Sequence, residues 1–399
     1  MRYRSHRFAK RVGAITPLAA LLCAFLLGMV AFAVDTSWIV LTRSELQNAA
    51  DSAALAGAGQ LMTGYVQYNL PNQTSGQKTA LINSAITKAK AAATQYAAYH
   101  TAGGVANLAL NDADIQVGLL DATGTFTPSA GSGPYPNTVR VLMRRDGQAN
   151  QSLRLFFAPV LGIATMDVNA PASATCYAGT ISGFSTASGL NASLLPVTYD
   201  VNNWNAFLKT GLNPDGLSMV DGSGNPEIQV YPSIKNSGNF GELSLNDSHN
   251  GASTTANWIA NGAAPSDIQV LSDNNLIPLS NHPANTWDWQ GNPGFKASNV
   301  AEINAQAGKT YLLPLFQPVS SDPLNYQAGV GQGANFSYDI VQFVAVTIMP
   351  VTDSNRQVVV QPAAYIAPTA YFAPGSVVPM GTETNPWQTT TFAAPKLSS

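Results

Sequence analysis

The sequence predicts an α+β protein: a long N-terminal transmembrane helix extended outside the membrane, a second packed helix, and then a mainly β exterior region. Three observations carry this reading. From Val12 to Val34 there is no charged residue. Small and apolar residues then recur at helical spacing as far as Met62, and beyond Asn107 the apolar period changes to two.

The stretch Ala14 to Val34 (AITPLAALLCAFLLGMVAFAV) is about 21 residues long, and at 1.5 Å per residue it matches the ~30 Å hydrocarbon core of a bilayer. Pro17 falls near the first turn, where a missing N–H has no helical partner to lose. Arg2, Arg4, Arg7, Lys10 and Arg11 precede the stretch with no acid among them. Basic residues stay cytoplasmic, so residues 1–12 are read as a cytoplasmic tail, 13–34 as the span, and everything from Asp35 onward as exterior. Ala31-Phe32-Ala33 also fits a signal-peptidase site, but the apolar run is long for a cleaved signal. Ala20-Leu21-Leu22 lacks the small residues that precede a lipid-modified cysteine, which argues against lipidation at Cys23.

Composition narrows the functional classes. Only 10% of residues are charged, against roughly a quarter in an average soluble domain. After the span, 14 basic residues face 22 acidic ones, which disfavours a nucleic-acid binder. Cys176 is alone in the exterior portion, so no intrachain disulfide forms there, and a buried, inert thiol is the expectation.

Asp35 to Met62 contains no proline and places Leu46, Ala50, Ala53, Gly57 and Leu61 on one helical face. A rod unbroken from Ala14 to Met62 would be ~73 Å long. Ala49, Ala50, Ala53, Ala54, Gly57 and Ala58 make a smooth packing surface, and its neighbour can belong to this chain or to another. Thr79 to His100 reads as a second helix, stopped by Gly103-Gly104 and joined to the first through a polar loop, Tyr68 to Gln77.

The alternations Ile115/Val117/Leu119, Val139/Val141/Met143 and Leu153/Leu155/Phe157 predict a small sheet over the helix pair, completing a unit at 35–178. Gly179 to Leu190 reads as a linker, and 179–372 as a mainly β exterior domain punctuated by turns such as Asn213-Pro214-Asp215-Gly216, Asn236-Ser237-Gly238-Asn239 and Gly291-Asn292-Pro293-Gly294. Within it, Tyr338 to Met349 reads as an interior strand that Val358 to Ile366 joins through an Asp353-Ser354-Asn355 turn. Pro314 moves Thr310 to Phe316 toward an edge. Residues 373–399, rich in Pro, Thr and Ser, read as a loose tail.

The run Gln47-Asn48-Ala49-Ala50-Asp51-Ser52-Ala53-Ala54-Leu55-Ala56-Gly57, following Lys10-Arg11, Gly13-Ala14 and the apolar span, resembles the N-terminal signature of the TadE/TadG-like proteins of tight-adherence (Flp) pilus assembly. Asn137-Thr138-Val139-Arg140-Val141, Leu155 to Ile163 and Asp167-Val168 are similar to the second block of TadG-like chains. The resemblance implies a single-pass protein of the bacterial inner membrane, with the bulk of the chain periplasmic or extracellular. It also implies a structural or assembly role, no cofactor, and as partners the bilayer, other pilus-assembly or envelope proteins, or a second copy of this chain. Prepilin-like relatives carry a glutamate five residues after the processing glycine; here that position is Leu18, which favours an uncleaved anchor. Larger relatives carry an Asp-x-Ser-x-Ser metal motif, whereas Asp221-Gly222-Ser223-Gly224-Asn225 reads as a tight turn.

Signs of catalysis are sparse. His6, His100, His249 and His282 are scattered, and Asp247-Ser248-His249 are sequence neighbours rather than a converging triad. Gly308-Lys309-Thr310 lacks the earlier glycine of a phosphate loop, since that position is Ile303. The pair Glu227 and Glu242 is assigned to surface solvation. Trp258, Trp287, Trp289 and Phe295 are assigned to the core, with a sugar-binding platform as the alternative. The chain is therefore read as no enzyme, with a glycan-binding adhesin as the second function and a secreted hydrolase as the third.

Overall fold

The computed structural model describes residues 15–185, 187, 189–232, 240–246, 251–269, 287–294, 296–322, 325–331, 336–351, 356–373 and 375–398. Helix α1 (Ile15–Gly59) runs 45 residues; α2 (Leu61–Asn69) continues it after a bend, and α3 (Ser75–Ala97) folds back alongside. The rod therefore breaks near where the sequence predicts its end, at Gln60, whose N–H turns back to the Gly57 carbonyl. Glycine at 57 and 59 weakens the helix there. The Tyr135 hydroxyl then donates to the Leu61 carbonyl (2.9 Å) and fills the space over Gly64, fixing the new direction.

Helix α3 starts four residues earlier than predicted. Thr74 forms a capping box with Gln77: the Gln77 N–H donates to Thr74 Oγ1 (3.2 Å), and the Thr74 N–H donates to Gln77 Oε1 (2.8 Å). The Thr-x-x-Gln spacing was the available signal.

Strands β1 (Ile115–Leu120), β2 (Phe126–Pro128), β3 (Thr138–Arg145) and β4 (Val168–Ala178) form an antiparallel sheet in the order β2-β1-β3-β4. Ile115, Val117, Val139, Val141 and Met143 point into one core with Leu46, Ala50, Ala53 and Leu61 of the rod and with Ile82, Ala85, Ala89 and Ala93 of α3. The predicted Leu153/Leu155/Phe157 strand is limited to Leu153–Arg154, because the chain then turns through the short helix Ala158–Leu161.

Beyond β4 the chain leaves this unit and later returns to it. Strands Ile181–Phe184 and Ala370–Phe372 pair antiparallel, so the predicted linker at Gly179 is one half of a two-stranded neck. Between the two halves lie β5 (Val197–Asp200), β6 (Phe240–Leu243), β7 (Trp287–Asn292), β8 (Thr310–Phe316) and β9 (Phe336–Ile348). β5 pairs β6, β6 pairs β7, β7 pairs β9 and β9 pairs β8, all antiparallel; β8 then pairs β5 in parallel and closes the circuit. Five strands cannot close with every pair antiparallel, and the β5–β8 pair is the parallel one. Strand Val358–Pro362 pairs β9, while the residues of the predicted Asp353-Ser354-Asn355 turn lie outside the described residues.

Strand β8 thus has neighbours on both sides, contrary to the edge position that Pro314 suggested. The Leu312 N–H donates to the Ser193 carbonyl, so the nitrogen of Pro314, two residues on, faces the same flank. On that flank a parallel bridge at Leu312 is followed by paired strand only from Leu315, so the Pro314 nitrogen falls in the gap between them, while Thr198 Oγ1 donates to the Pro314 carbonyl (3.0 Å). Alternate β8 residues feed two apolar clusters, Tyr311, Leu313 and Leu315 one and Leu312 and Phe316 the other, which explains the unbroken apolar run.

The predicted loose tail is also corrected. Strand β10 (Thr391–Leu397) pairs β4 antiparallel and places Phe392 in the rod's core. The composition of 373–399 hid the alternation inside it, and Pro395 is accommodated because the register shifts between Ala393 and Lys396. Replacing Phe392 with Ala is expected to destabilise the N-terminal unit by about 3–5 kcal/mol, read from denaturant unfolding of the full chain.

Candidate anchoring and docking face

The lower half of α1 carries its apolar side chains outward. Ile15, Leu21, Phe25, Leu27 and Phe32 are each more than 60% exposed. α1 is the one described helix long and apolar enough to cross a membrane. Dispersed surface Leu or Phe is ordinary, whereas a continuous belt around a bare helix is consistent with a membrane-crossing segment.

The upper half does the opposite. Leu46, Ala50, Ala53, Gly57 and Leu61 are buried inside this same chain, against α3, β3 and β4. A Cβ placed on Gly57 would lie 3.0 Å from the Ala89 carbonyl oxygen and 3.2 Å from Val139 Cγ1, so the helix pair approaches to backbone contact there. Of the signature residues, Ala49, Ala53 and Ala54 are buried with it, and Leu55 and Ala56 are half-buried. Gln47 and Asp51 point to the flank: Gln47 Nε2 donates to Asp51 Oδ1 (2.8 Å) and to the Pro171 carbonyl (3.0 Å). Asn48 is exposed. The small-residue face is thus occupied within the chain, and surfaces left for partners lie elsewhere. One is an open groove of about 950 Å3 beside Gln47 and Asp51, bordered by Gln116, Arg140, Arg144 and Pro171.

Polar ties that the sequence reading missed fix the rod to its unit. Asp35 is buried at the end of the apolar belt. It accepts from three successive backbone N–H groups: Phe156 to Oδ1 (2.8 Å), Phe157 to Oδ2 (3.0 Å) and Ala158 to Oδ2 (2.7 Å). Three turns further on, Glu45 Oε2 accepts from the Gly103 N–H (2.7 Å). Arg145 Nη1 donates to the Ala102 and Gly103 carbonyls, each at 2.8 Å. Cys176 is buried, its Sγ 2.9 Å from the Ala58 carbonyl, and burial pushes its thiol far above the ordinary range, which makes it a poor nucleophile.

The chemical candidates separate. Glu242 is buried rather than solvated; it accepts from Thr255 Oγ1 (3.1 Å) and Asn299 Nδ2 (2.9 Å), and Lys296 Nζ lies 3.5 Å away. Its strand faces helices Ala252–Asn261 and Ala297–Asn304, whose polar side chains close over it. Glu227 is half-buried on a different strand. Asp221 closes its turn by accepting from the Ser223 and Asn225 N–H groups. Among the described residues, no cluster of three or more His, Cys, Asp and Glu could hold a metal ion. Trp258 and Trp289 are buried and cannot form a sugar platform. Phe295, His6, Asp247, Ser248, His249 and His282 lie outside the described residues, as does the Trp287 side chain.

Known families match the rod and its sheet. The model for putative Flp pilus-assembly TadE/G-like sequences matches residues 13–60, and that for putative Tad-like Flp pilus assembly matches residues 56–174. Residues 13–174 are TadE/TadG-like. Neither a curated protein nor a solved structure matches the chain. The TadE/TadG-like match stops within β4, so the neck, the closed circuit of strands and β10 lie beyond it, although β10 completes the TadE/TadG-like sheet.

Two outcomes follow from this geometry. Gly57→Leu is expected to cost at least about 1–3 kcal/mol by overpacking against α3, read as a lowered Tm. The second concerns Glu383, which accepts from the Tyr65 hydroxyl (2.9 Å) and the Gly381 N–H (2.7 Å) and so ties the returning segment to α2. Burial raises its carboxyl above the ordinary 4.5, so the folded chain binds this proton more tightly than the unfolded one. The stability contributed is full below pH 4.5 and is lost as pH rises through the folded value. Tm should therefore fall less between pH 4.5 and neutrality in Glu383→Gln than in the parent, compared by thermal scans across that range.

Proposed function

We propose that this pilus-assembly-family protein is a membrane-anchored structural component of a tight-adherence (Flp) type apparatus. In this reading residues 1–12 are cytoplasmic, residues 15–34 cross the inner membrane once, and the rest of the chain stands on the exterior side. The observation that supports it is that one helix links the two matched regions: the first family match takes in the exposed apolar belt, and the second covers most of the sheet into which the same helix is keyed. The role is mechanical. The belt holds the chain in lipid, the keyed half transmits that position to the sheet, and the inserted strands present a neutral, hydrogen-bonding surface to other envelope or pilus components. No step requires a cofactor or a catalytic group.

In a strain that makes such pili, removing the coding region should abolish assembled pili and surface attachment, with the full chain restoring both. A chain lacking residues 15–34 but exported by an unrelated cleavable signal should be found in the soluble exterior fraction and should not restore pili. Normal piliation in the deletion strain would sink the assignment; normal piliation with the soluble chain would sink the anchoring part alone.

A further inference from the structure

The turn that Asp35 holds is itself apolar and faces outward. From Leu155 to Met166 the chain reads LFFAPVLGIATM, with no charged residue between Arg154 and Asp167. Phe156 is 62% exposed, Val160 87%, Leu161 82% and Ile163 56%. Single exposed apolar residues need no explanation, but a run of them on one turn does. The turn is also well defined. The Gly162 N–H donates to the Pro159 carbonyl and the Ile163 N–H to the Ala158 carbonyl, and Gly162 adopts φ +88°, closing a compact knuckle with Val160 and Leu161 at its tip.

Its location supplies the occupant. Asp35 is the first residue beyond the apolar belt, and its carboxylate holds the start of the knuckle through three N–H groups. The helix Ala158–Leu161 touches α1. Ala31, one turn toward the membrane from Asp35, is the one residue of 15–34 that is half-buried rather than exposed. One helical turn is ~5.4 Å, the depth to which interfacial elements sink. Trp38 packs on Phe156 with ring centroids 5.6 Å apart, an aromatic pair at the level where such rings sit between headgroups and acyl chains.

We propose that the 155–166 knuckle is a second membrane contact: it seats in the exterior-side interface of the bilayer, beside the span, with Val160 and Leu161 among the upper acyl chains. One helix alone can tilt and rotate in lipid. A helix with an apolar foot fixed to its flank has one preferred tilt and azimuth, so the foot sets how the exterior unit stands on the membrane. The three N–H groups bound to Asp35 are satisfied by protein, which lets irregular backbone lie at this depth.

This inference rests on the membrane-anchored reading, and the test separates the two. The full chain is reconstituted in phosphatidylcholine–phosphatidylglycerol vesicles with an environment-sensitive fluorophore at one of two places: on the native Cys23 in the span, or on Leu161→Cys in a Cys23→Ser background. Cys176 is buried and does not label. Lipids brominated near the top of the acyl chains should remove most of the emission at position 161, and aqueous iodide should barely affect it. Lipids brominated near the bilayer centre should quench the label at Cys23. Strong iodide quenching at position 161, with lipid quenching at Cys23 intact, overturns the foot and leaves the anchor. Shielding of position 161 from both quenchers that disappears on dilution into excess lipid assigns the knuckle to a second copy of the chain, and also overturns the proposal. Loss of lipid quenching at Cys23 overturns the anchor itself.

Discussion

The structure depends on one helix whose two halves meet different surroundings. Along α1 the outward side chains are large and apolar up to Val34, whereas from Leu46 onward the buried ones are mostly Ala and Gly. The two halves obey different rules. In the first half, every residue of 15–34 except Ala31 is exposed. In the second half, burial comes from close approach, and small residues bring backbones together so that dispersion and apolar burial accrue over a long contact. Gly57, 3.0 Å from the Ala89 carbonyl at the position of a hypothetical Cβ, marks where that approach is tightest. Because both halves belong to one continuous helix, the position of the belt fixes the position of the sheet.

That coupling is reinforced at the junction rather than left to the helix alone. Asp35, Glu45 and Gln47 lie in order along the rod, and each ties a different loop or strand to it through the backbone: the knuckle at 156–158, the turn at 103 and β4 at Pro171. Backbone partners explain why these ties are hard to see in sequence. A side chain that caps N–H groups or a carbonyl far along the chain leaves no complementary residue type to recognise. The helical period, by contrast, was legible, and so was the face Leu46, Ala50, Ala53, Gly57, Leu61, because packing against any neighbour imposes the same spacing. Whether that neighbour belonged to this chain was not legible, since α3 answers the small face with alanines of its own, Ala85, Ala89 and Ala93, which read equally well as mere helix formers.

The β region was legible as strands and opaque as topology. Runs such as Thr310–Phe316 and Phe336–Ile348 announce themselves by apolarity, yet nothing local records that β8 returns to β5 in parallel. The Pro314 inference failed for a physical reason: a proline excludes a ladder donor, not a neighbour, and here its nitrogen falls in the gap between the Leu312 bridge and the strand pairing that begins at Leu315. The tail failed for a similar one. Composition averaged over 373–399 describes the turns that lead to β10, while β10 itself needs only seven residues to cover the edge of β4.

Where the inserted strands attach bears on what they can transmit. The chain leaves the TadE/TadG-like sheet at the end of β4 and is back in it at Tyr365–Ile366 and Val378–Pro379 before β10 begins. The end of β4 and the start of β10 are bonded to each other: the Gly179 N–H donates to the Thr391 carbonyl, and Thr391 Oγ1 donates to the Gly179 carbonyl (2.7 Å). β4 is in turn held along its length by eight residue pairs with β3 and packs against the rod. The inserted strands are thus joined to α1 through many bonds at once, and α1 continues into the apolar belt.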